Sequence, residues 1–263
     1  MDCNILEFLK RVRKERPLIH CITNNVTVND VANVILACGA SPVMAADIRE
    51  MDDFVGKSQA VVLNIGTISA ELEGSFEACL KSAQSHGKPV VLDPVGVGAA
   101  KYRTNMILAL LERYPVAVIR GNASEIRAIA GEGSSTSGVD AADCDAVTAE
   151  TLDARSAMAA AVAKRYGCIV AMSGAWDIVT DGCESLLCRK GVPMMSQVTG
   201  TGCMLTGMTA AFLAANRTQA LQSVHAATEY MCLCGEEAFD GTREAGAGLG
   251  TFRRLLIDRI SMH

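Results

Sequence analysis

Two runs decide the fold: Ala60-Val61-Val62-Leu63-Asn64-Ile65-Gly66-Thr67 and Lys88-Pro89-Val90-Val91-Leu92-Asp93-Pro94-Val95-Gly96. Each is a short apolar segment closed by a turn-forming pair, the pattern of a buried strand. Between them Leu72, Phe76, Cys79, Leu80 and Ala83 recur at helical spacing over residues 69–85. Strand, long helix, strand is the unit of a parallel sheet, whose strands need a crossover between them.

The same alternation extends in both directions. Upstream, Ile5, Leu6, Leu9 and Val12 predict a helix over 3–14, which Pro17 ends. Residues 17–23 predict a strand, and Val28, Val31, Ile35 and Leu36 a helix that stops at Gly39. A short strand over 41–45 and a helix near 47–55 complete that half. Downstream, residues 102–113 read as helix, 116–119 as strand, and Asn122 as the cap of a short helix carrying Glu125. Residues 131–146 are small and polar and predict a surface loop. A helix over 152–166 and a strand over 168–172 follow. Next comes a hairpin, 177–180 with 185–188, turning at Asp181-Gly182. Three helices near 204–216, 219–238 and 249–260 end the chain. The expected architecture is one α/β domain over 1–263, a three-layer fold with a mostly parallel central sheet and helices on both faces.

Composition excludes several partners. The 263 residues are 50% hydrophobic and 20% charged, enough to bury a large core. A net charge of −5, no basic block and 4% aromatic residues argue against nucleic acid and acidic membrane surfaces. No run approaches the length of a membrane span, and residues 1–16 lack the apolar stretch of a signal peptide. Eleven scattered cysteines without paired Cys-x-x-Cys spacing fit a reduced protein. The expectation is a cytoplasmic protein.

Strand ends carry the candidate chemistry. In parallel sheets ligands bind beyond the carboxyl ends of the strands, and these end in Thr23-Asn24, Gly66-Thr67, Asp93-Pro94, Arg120-Gly121 and Ser173-Gly174. Val198-Thr199-Gly200-Thr201-Gly202-Cys203 then leads into an apolar helix near Cys203. Glycines let a ligand approach the backbone, and free N–H groups at a helix start attract phosphate. A plain tight turn is the competing reading. Cys203 falls where a helix N-terminus lowers a thiol pKa. Asp93 and Glu125 are carboxylates suited to Mg²⁺; alternatively Asp93 serves its turn and Glu125 is an exposed first-turn residue. Arg120 is a fixed cation able to grip phosphate, or a salt-bridge partner of Asp93 or Glu125. Asn24 is a ligand-site residue or a helix cap, and His20, alone in an apolar strand, reads as a core histidine. Walker and dinucleotide-binding glycine patterns are absent, and Gly246-x-Gly-x-Gly250 reads as a turn before the last helix.

Six ordered blocks carry a resemblance: 20–27 (His-Cys-Ile-Thr-Asn-Asn-Val-Thr), 42–45 (Pro-Val-Met-Ala), 63–67, 91–96, Arg120-Gly-Asn122-x-x-Glu125 and Gly200-Thr-Gly-Cys203. Together they resemble the hydroxyethylthiazole kinases, thiazole-salvage enzymes of thiamine synthesis with a ribokinase-like fold. The resemblance runs from about Pro17 to Ile260. It implies ATP-dependent phosphorylation of the primary alcohol of 5-(2-hydroxyethyl)-4-methylthiazole, and a homotrimer with active sites between subunits. It further implies a thiazole pocket of Asn24, Val26, Met44, Gly66, Thr67 and Gly200. ATP contacts fall on Arg120 and Ser173, with Thr201 and Gly202 in the anion turn, and Mg²⁺ on Asp93 and Glu125. The wider superfamily usually has Asp as the base where this chain has Cys203, so Cys203 is the candidate base here. Other ribokinase-like vitamin kinases, ADP-dependent hydrated-nucleotide dehydratases and a non-catalytic nucleotide-binding module are the alternatives; the first two ordinarily carry that Asp.

Overall fold

The computed structural model describes residues 3–131 and 150–263. The chain begins with α1 (Cys3–Glu15), β1 (Leu18–Ile22), α2 (Val28–Ala37), β2 (Ser41–Val43), α3 (Met51–Lys57), β3 (Ala60–Asn64) and α4 (Ala70–Ser85). It continues through β4 (Val90–Asp93), α5 (Lys101–Arg113), β5 (Val118–Asn122) and α6 (Ala123–Ala130). Then come α7 (Leu152–Tyr166), β6 (Ile169–Ser173), β7 (Asp177–Thr180) and β8 (Ser185–Cys188). The short α8 (Met194–Gln197), α9 (Thr201–Ala215), α10 (Ala220–Glu244) and α11 (Leu249–Met262) complete it. Except for Gly131, the loop expected over 131–146 lies outside the described residues.

All eight strands form one sheet in the order β2-β1-β3-β4-β5-β6-β7-β8. Neighbours from β2 through β6 are parallel, and β6-β7-β8 is an antiparallel meander. The chain steps from β1 outward to β2, then returns to the other side of β1 with β3. Strand order reverses there, which opens a crevice beyond the strand ends at β1 and β3. The β7–β8 loop spans Asp181 to Glu184, as the expected strand bounds leave it, and the Asp181 carboxylate caps it by accepting from the Cys183 and Glu184 N–H groups.

Side-chain parity divides the core. Val62, Val91 and Val118 join Ile19 and Cys21 on one face, covered by α1, α2, α9, α10 and α11. Val61, Leu63, Leu92 and Ile119 point to the other, with residues of α4 to α7. Because alternate residues share a face, Asn64, Asp93 and Arg120 fall on the face of Val62, Val91 and Val118, which is the α9 face. His20 has the opposite parity from Cys21. It is fully buried, stacks on Phe54 at 6.2 Å and bonds Ala45 O through Nε2 at 2.8 Å, a core histidine remote from that face.

Helix α9 is buried from Met204 through Ala215. It has no polar stripe because the sheet lies beneath it and α1, α2 and α10 surround it. Gly207 is part of that fit: a Cβ there would lie 3.0 Å from Val31 Cγ1. The helix that carries the glycine turn is therefore clamped by core packing on every side.

Candidate active site

Gly200 caps α9 at φ 90°, a left-handed conformation that a side chain resists, and a Cβ there would meet Thr27 Cγ2 at 2.5 Å. The helix begins at Thr201, two residues before the expected start, so Cys203 sits within the first turn. The first intrahelical bond is Met204 N–H to Gly200 O, and no side chain caps the preceding amides. The N–H groups of Thr201, Gly202 and Cys203 thus sit at the positive end of a helix dipole, an arrangement that holds anions.

Cys203 lies over the strand-order switch point. Asn24, just past β1, donates its amide to Cys203 Sγ at 3.1 Å, and Asn64, ending β3, donates at 3.2 Å. The two amides also meet each other, Asn24 Nδ2 to Asn64 Oδ1 at 3.2 Å. The Asn24 carbonyl oxygen in turn accepts from Val26 N–H, Thr27 N–H and the Thr27 hydroxyl. Asn24 is therefore not the cap of α2, whose N-cap is Thr27 with no side-chain cap bond; its oxygen holds the turn that leads into the helix while its nitrogen reaches the thiol. Burial and the Asp93 carboxylate push the Cys203 thiol up, while hydrogen bonds from Thr27, Asn64 and Asn24 pull the other way. The net shift is opposite to the lowering expected from the helix terminus.

Asp93 ends β4 at 1% exposure. Its Oδ2 accepts from Asn64 Nδ2 at 2.8 Å and from the Thr206 hydroxyl at 2.7 Å, one turn into α9. Its Oδ1 is buried with no hydrogen-bond partner. Burial raises its pKa, and the field of Arg120 and the two hydrogen bonds oppose the rise. A buried carboxylate oxygen left bare costs free energy unless a cation or donor meets it. Asp93 thus fits a divalent cation as an oxygen donor.

Glu125 is buried, not an exposed first-turn residue. Its Oε1 accepts from Gly96 N–H at 3.0 Å and Oε2 from Asn122 N–H at 2.9 Å, closing a capping box with Asn122. Each oxygen keeps a free lone pair, so Glu125 fits a cation as a further oxygen donor. Burial raises the Glu125 pKa against those two backbone donors.

Arg120 forms no salt bridge among the described residues and donates Nη2 to Ser173 Oγ at 2.9 Å. The pair lines a cavity of about 550 Å³ with Asn122, Thr201 and Gly202. A Cβ on Gly202 would stand 2.5 Å from Arg120 Nη1, so only glycine lets the guanidinium lie across the helix start. The four residues expected at a nucleotide, Arg120, Ser173, Thr201 and Gly202, all line this one cavity.

The six residues expected at the thiazole line none of it. Gly66 packs on Asn24, where a Cβ would lie 2.8 Å from Nδ2, and Thr67 Oγ1 accepts from the N–H of the next residue, Asn25, at 3.0 Å. Gly200 joins them through Thr27. Met44 follows β2 at the same sheet edge, half-buried, and Val26 is 67% exposed. Asn24, Val26, Gly66 and Gly200 thus form a shelf beside the glycine turn, outside the Arg120 cavity.

Asn64 and Thr206 were assigned no role from the sequence. The signal for Asn64 was its polarity in an apolar run and its parity with Val62; its pairing with Asp93 in register came only with the structure.

Comparison with known proteins follows this geometry. A family model described as the hydroxyethylthiazole kinase family matches residues 9–262. A hydroxyethylthiazole kinase of Clostridium acetobutylicum is 43% identical over 97% of this chain and 93% of its own length. The solved hydroxyethylthiazole kinase of Pyrococcus horikoshii OT3 superposes with a TM-score of 0.86 at 36% identity, covering 98% of this chain and 93% of that one. A ribokinase-like superfamily protein of Enterococcus faecalis shares the fold at a TM-score of 0.63 and 12% identity, over 92% and 86% of the two chains.

Proposed function

We propose that this chain, which belongs to the hydroxyethylthiazole kinase family, transfers the γ-phosphoryl group of ATP to the primary alcohol of 5-(2-hydroxyethyl)-4-methylthiazole. One observation carries the reading. A single glycine turn separates a cationic cavity, reached by Arg120 through Gly202, from the shelf of Asn24 and Gly66, with Cys203 between them. A phosphate donor on one side and a small alcohol on the other would meet at the head of α9.

In this mechanism ATP occupies the 550 Å³ cavity, with Arg120 and Ser173 on its phosphates. The alcohol rests against Asn24, Val26, Met44, Gly66, Thr67 and Gly200. Its oxygen attacks the γ-phosphorus, the bond to the bridging oxygen breaks, ADP leaves, and the alcohol proton passes to a base. The transition state is loose, so positioning and charge stabilisation supply most of the acceleration. The N–H groups of Thr201, Gly202 and Cys203 face the charge that develops on the transferring group. Asn24 and Asn64 orient the Cys203 sulfur, which accepts the proton as its thiolate. Mg²⁺, when bound, would neutralise phosphate charge; Asp93, with its unpartnered oxygen, and Glu125 would hold it.

The single ribokinase-like domain would work as a cytoplasmic homotrimer. Val26, exposed on the shelf of the single chain, supports a neighbouring subunit completing the thiazole site. Among the described residues no helix is long and apolar enough to cross a membrane.

The test is ADP release, with the thiazole alcohol set against pyridoxal, a hydroxymethylpyrimidine and a hydrated nicotinamide nucleotide. Turnover with the thiazole alcohol well above the others is expected. Preference for any other acceptor, or no turnover at all, overturns the reading.

A further inference from the structure

At the back of the nucleotide cavity stands a cluster that the phosphoryl-transfer reading does not use. Asp177 begins β7, Cys188 ends β8 and Cys232 lies in the middle of α10. Their carboxylate oxygen and two sulfur atoms all lie within 4.8 Å of one another, and all three residues are buried. Cys232 Sγ donates to Asp177 Oδ2 at 3.5 Å, and Asp177 Oδ1 accepts from Gly174 N–H at 3.0 Å. Asp177 and Cys232 line the cavity, whereas Cys188 is fully enclosed behind them.

We infer that Cys188, Cys232 and Asp177 form a binding site for a thiophilic divalent cation of the zinc class. Two sulfurs and one carboxylate oxygen match the ligand preference of such ions, and magnesium or calcium would take oxygen alone. Zinc–sulfur and zinc–oxygen bonds near ~2.3 and ~2.0 Å put the ligand atoms of a tetrahedron about 3.3–3.8 Å apart. The Cys232–Asp177 separation already has that value. The Gly174 N–H fixes the carboxylate from behind, as an orienting partner of a metal ligand does. Three protein ligands leave a fourth position for water or a phosphate oxygen, which can reach the ion from the cavity that Asp177 and Cys232 line. His225 is not that fourth ligand, because its Nε2 bonds Leu187 O at 3.2 Å and its Nδ1 faces Glu229 at 3.9 Å. Binding converts both thiols to thiolates and releases two protons for each ion taken up.

The test is titration of the reduced full chain with cobalt(II), read by thiolate-to-cobalt charge-transfer absorption and by equilibrium dialysis. One cobalt per chain, a charge-transfer band and its displacement by zinc are expected. Cys188→Ala combined with Cys232→Ala should remove the band, whereas Cys183→Ala, at an exposed thiol, should keep it. Asp177→Asn should keep the band and weaken binding by about 10-fold or more, since even indirect partners of a metal cost that much. This variant decides the matter if the double variant does not fold. No band in the unaltered chain, a band that survives in the folded double variant, or an affinity unmoved by Asp177→Asn overturns the site.

Discussion

The Asn64 side-chain nitrogen lies 2.8 Å from Asp93 Oδ2 and holds one end of that carboxylate while the other end, Oδ1, has no partner. The same nitrogen reaches Cys203 Sγ at 3.2 Å. One amide at the end of β3 therefore ties the candidate cation ligand to the candidate base. Asn64→Ala should lower kcat by about 10–100-fold, the scale of a hydrogen bond to a charged group worth ~1.5–3 kcal/mol. KM for ATP should change little, because Asn64 does not line the Arg120 cavity. Steady-state kinetics at saturating alcohol checks this; an unchanged kcat refutes it.

Asp93 also gives a pH dependence to stability. Burial raises its native pKa above the ordinary value of 3.8. Between those two values the folded chain binds more protons than the unfolded one, so this group's contribution to stability falls as pH rises. The loss begins near 3.8 and is complete above the raised native value. Without divalent cation, the stability of the parent chain relative to Asp93→Asn should therefore decline across that window and then level off. Denaturant melts of both proteins at several pH values measure the difference; a flat or rising difference contradicts it.

Gly202 and Arg120 predict a nucleotide-specific defect. A methyl group at 202 would displace the guanidinium from the helix start, at little cost to folding because the end of a long side chain can move. Gly202→Ala should weaken ATP binding by about 10–100-fold through the lost charged contact. Its thermal melting should stay near that of the parent. Calorimetric titration with ATP and with the alcohol separately should find the loss in the first alone.

Met44 predicts the complementary defect. It stands half-buried after β2 and does not line the Arg120 cavity. Met44→Ala should weaken binding of the thiazole alcohol by about 1–3 kcal/mol, the scale of a lost apolar contact in a pocket. ATP affinity should hold. Equal loss for both ligands, measured by the same titrations, would remove Met44 from the acceptor site.

Cys203 predicts the pH profile of the reaction. Its thiol is raised above the ordinary 9.0 by burial and by Asp93, so the thiolate is scarce at neutral pH. The kcat/KM of the parent should climb as pH rises through neutrality toward that value. A carboxylate, with a reference pKa near ~4, is ionised throughout this range. Cys203→Asp should therefore be at least as active as the parent at neutral pH, with a flatter profile. Cys203→Ala should lose roughly 10–10⁴-fold, within reach of the usual ~10²–10⁴-fold for a general base. Single-turnover phosphorylation by the three proteins decides; a fully active alanine variant with a dead aspartate variant assigns Cys203 to packing alone.

Local rules made most elements legible. Apolar runs of strand length, such as 60–65, alternate with helical stripes, such as the one in 69–85. Glycine 200 before a helix, Asn122 before Glu125 and Asp93 after a strand each stand out by type and position. Parity within each strand places Asn64 with Val62, Asp93 with Val91 and Arg120 with Val118, since alternation is set by the backbone; that the three share one face was decided by strand register. Strand order was not legible, because pairing partners are chosen by long-range packing. The reversal between β1 and β3 is what brings Asn24 and Asn64 to Cys203 from segments 179 and 139 residues away. The direction of the Cys203 pKa shift was equally out of reach. The helix terminus is visible in the sequence, but burial and the neighbouring Asp93 charge exist only once the chain is folded, and these two effects outweigh the donors around the sulfur.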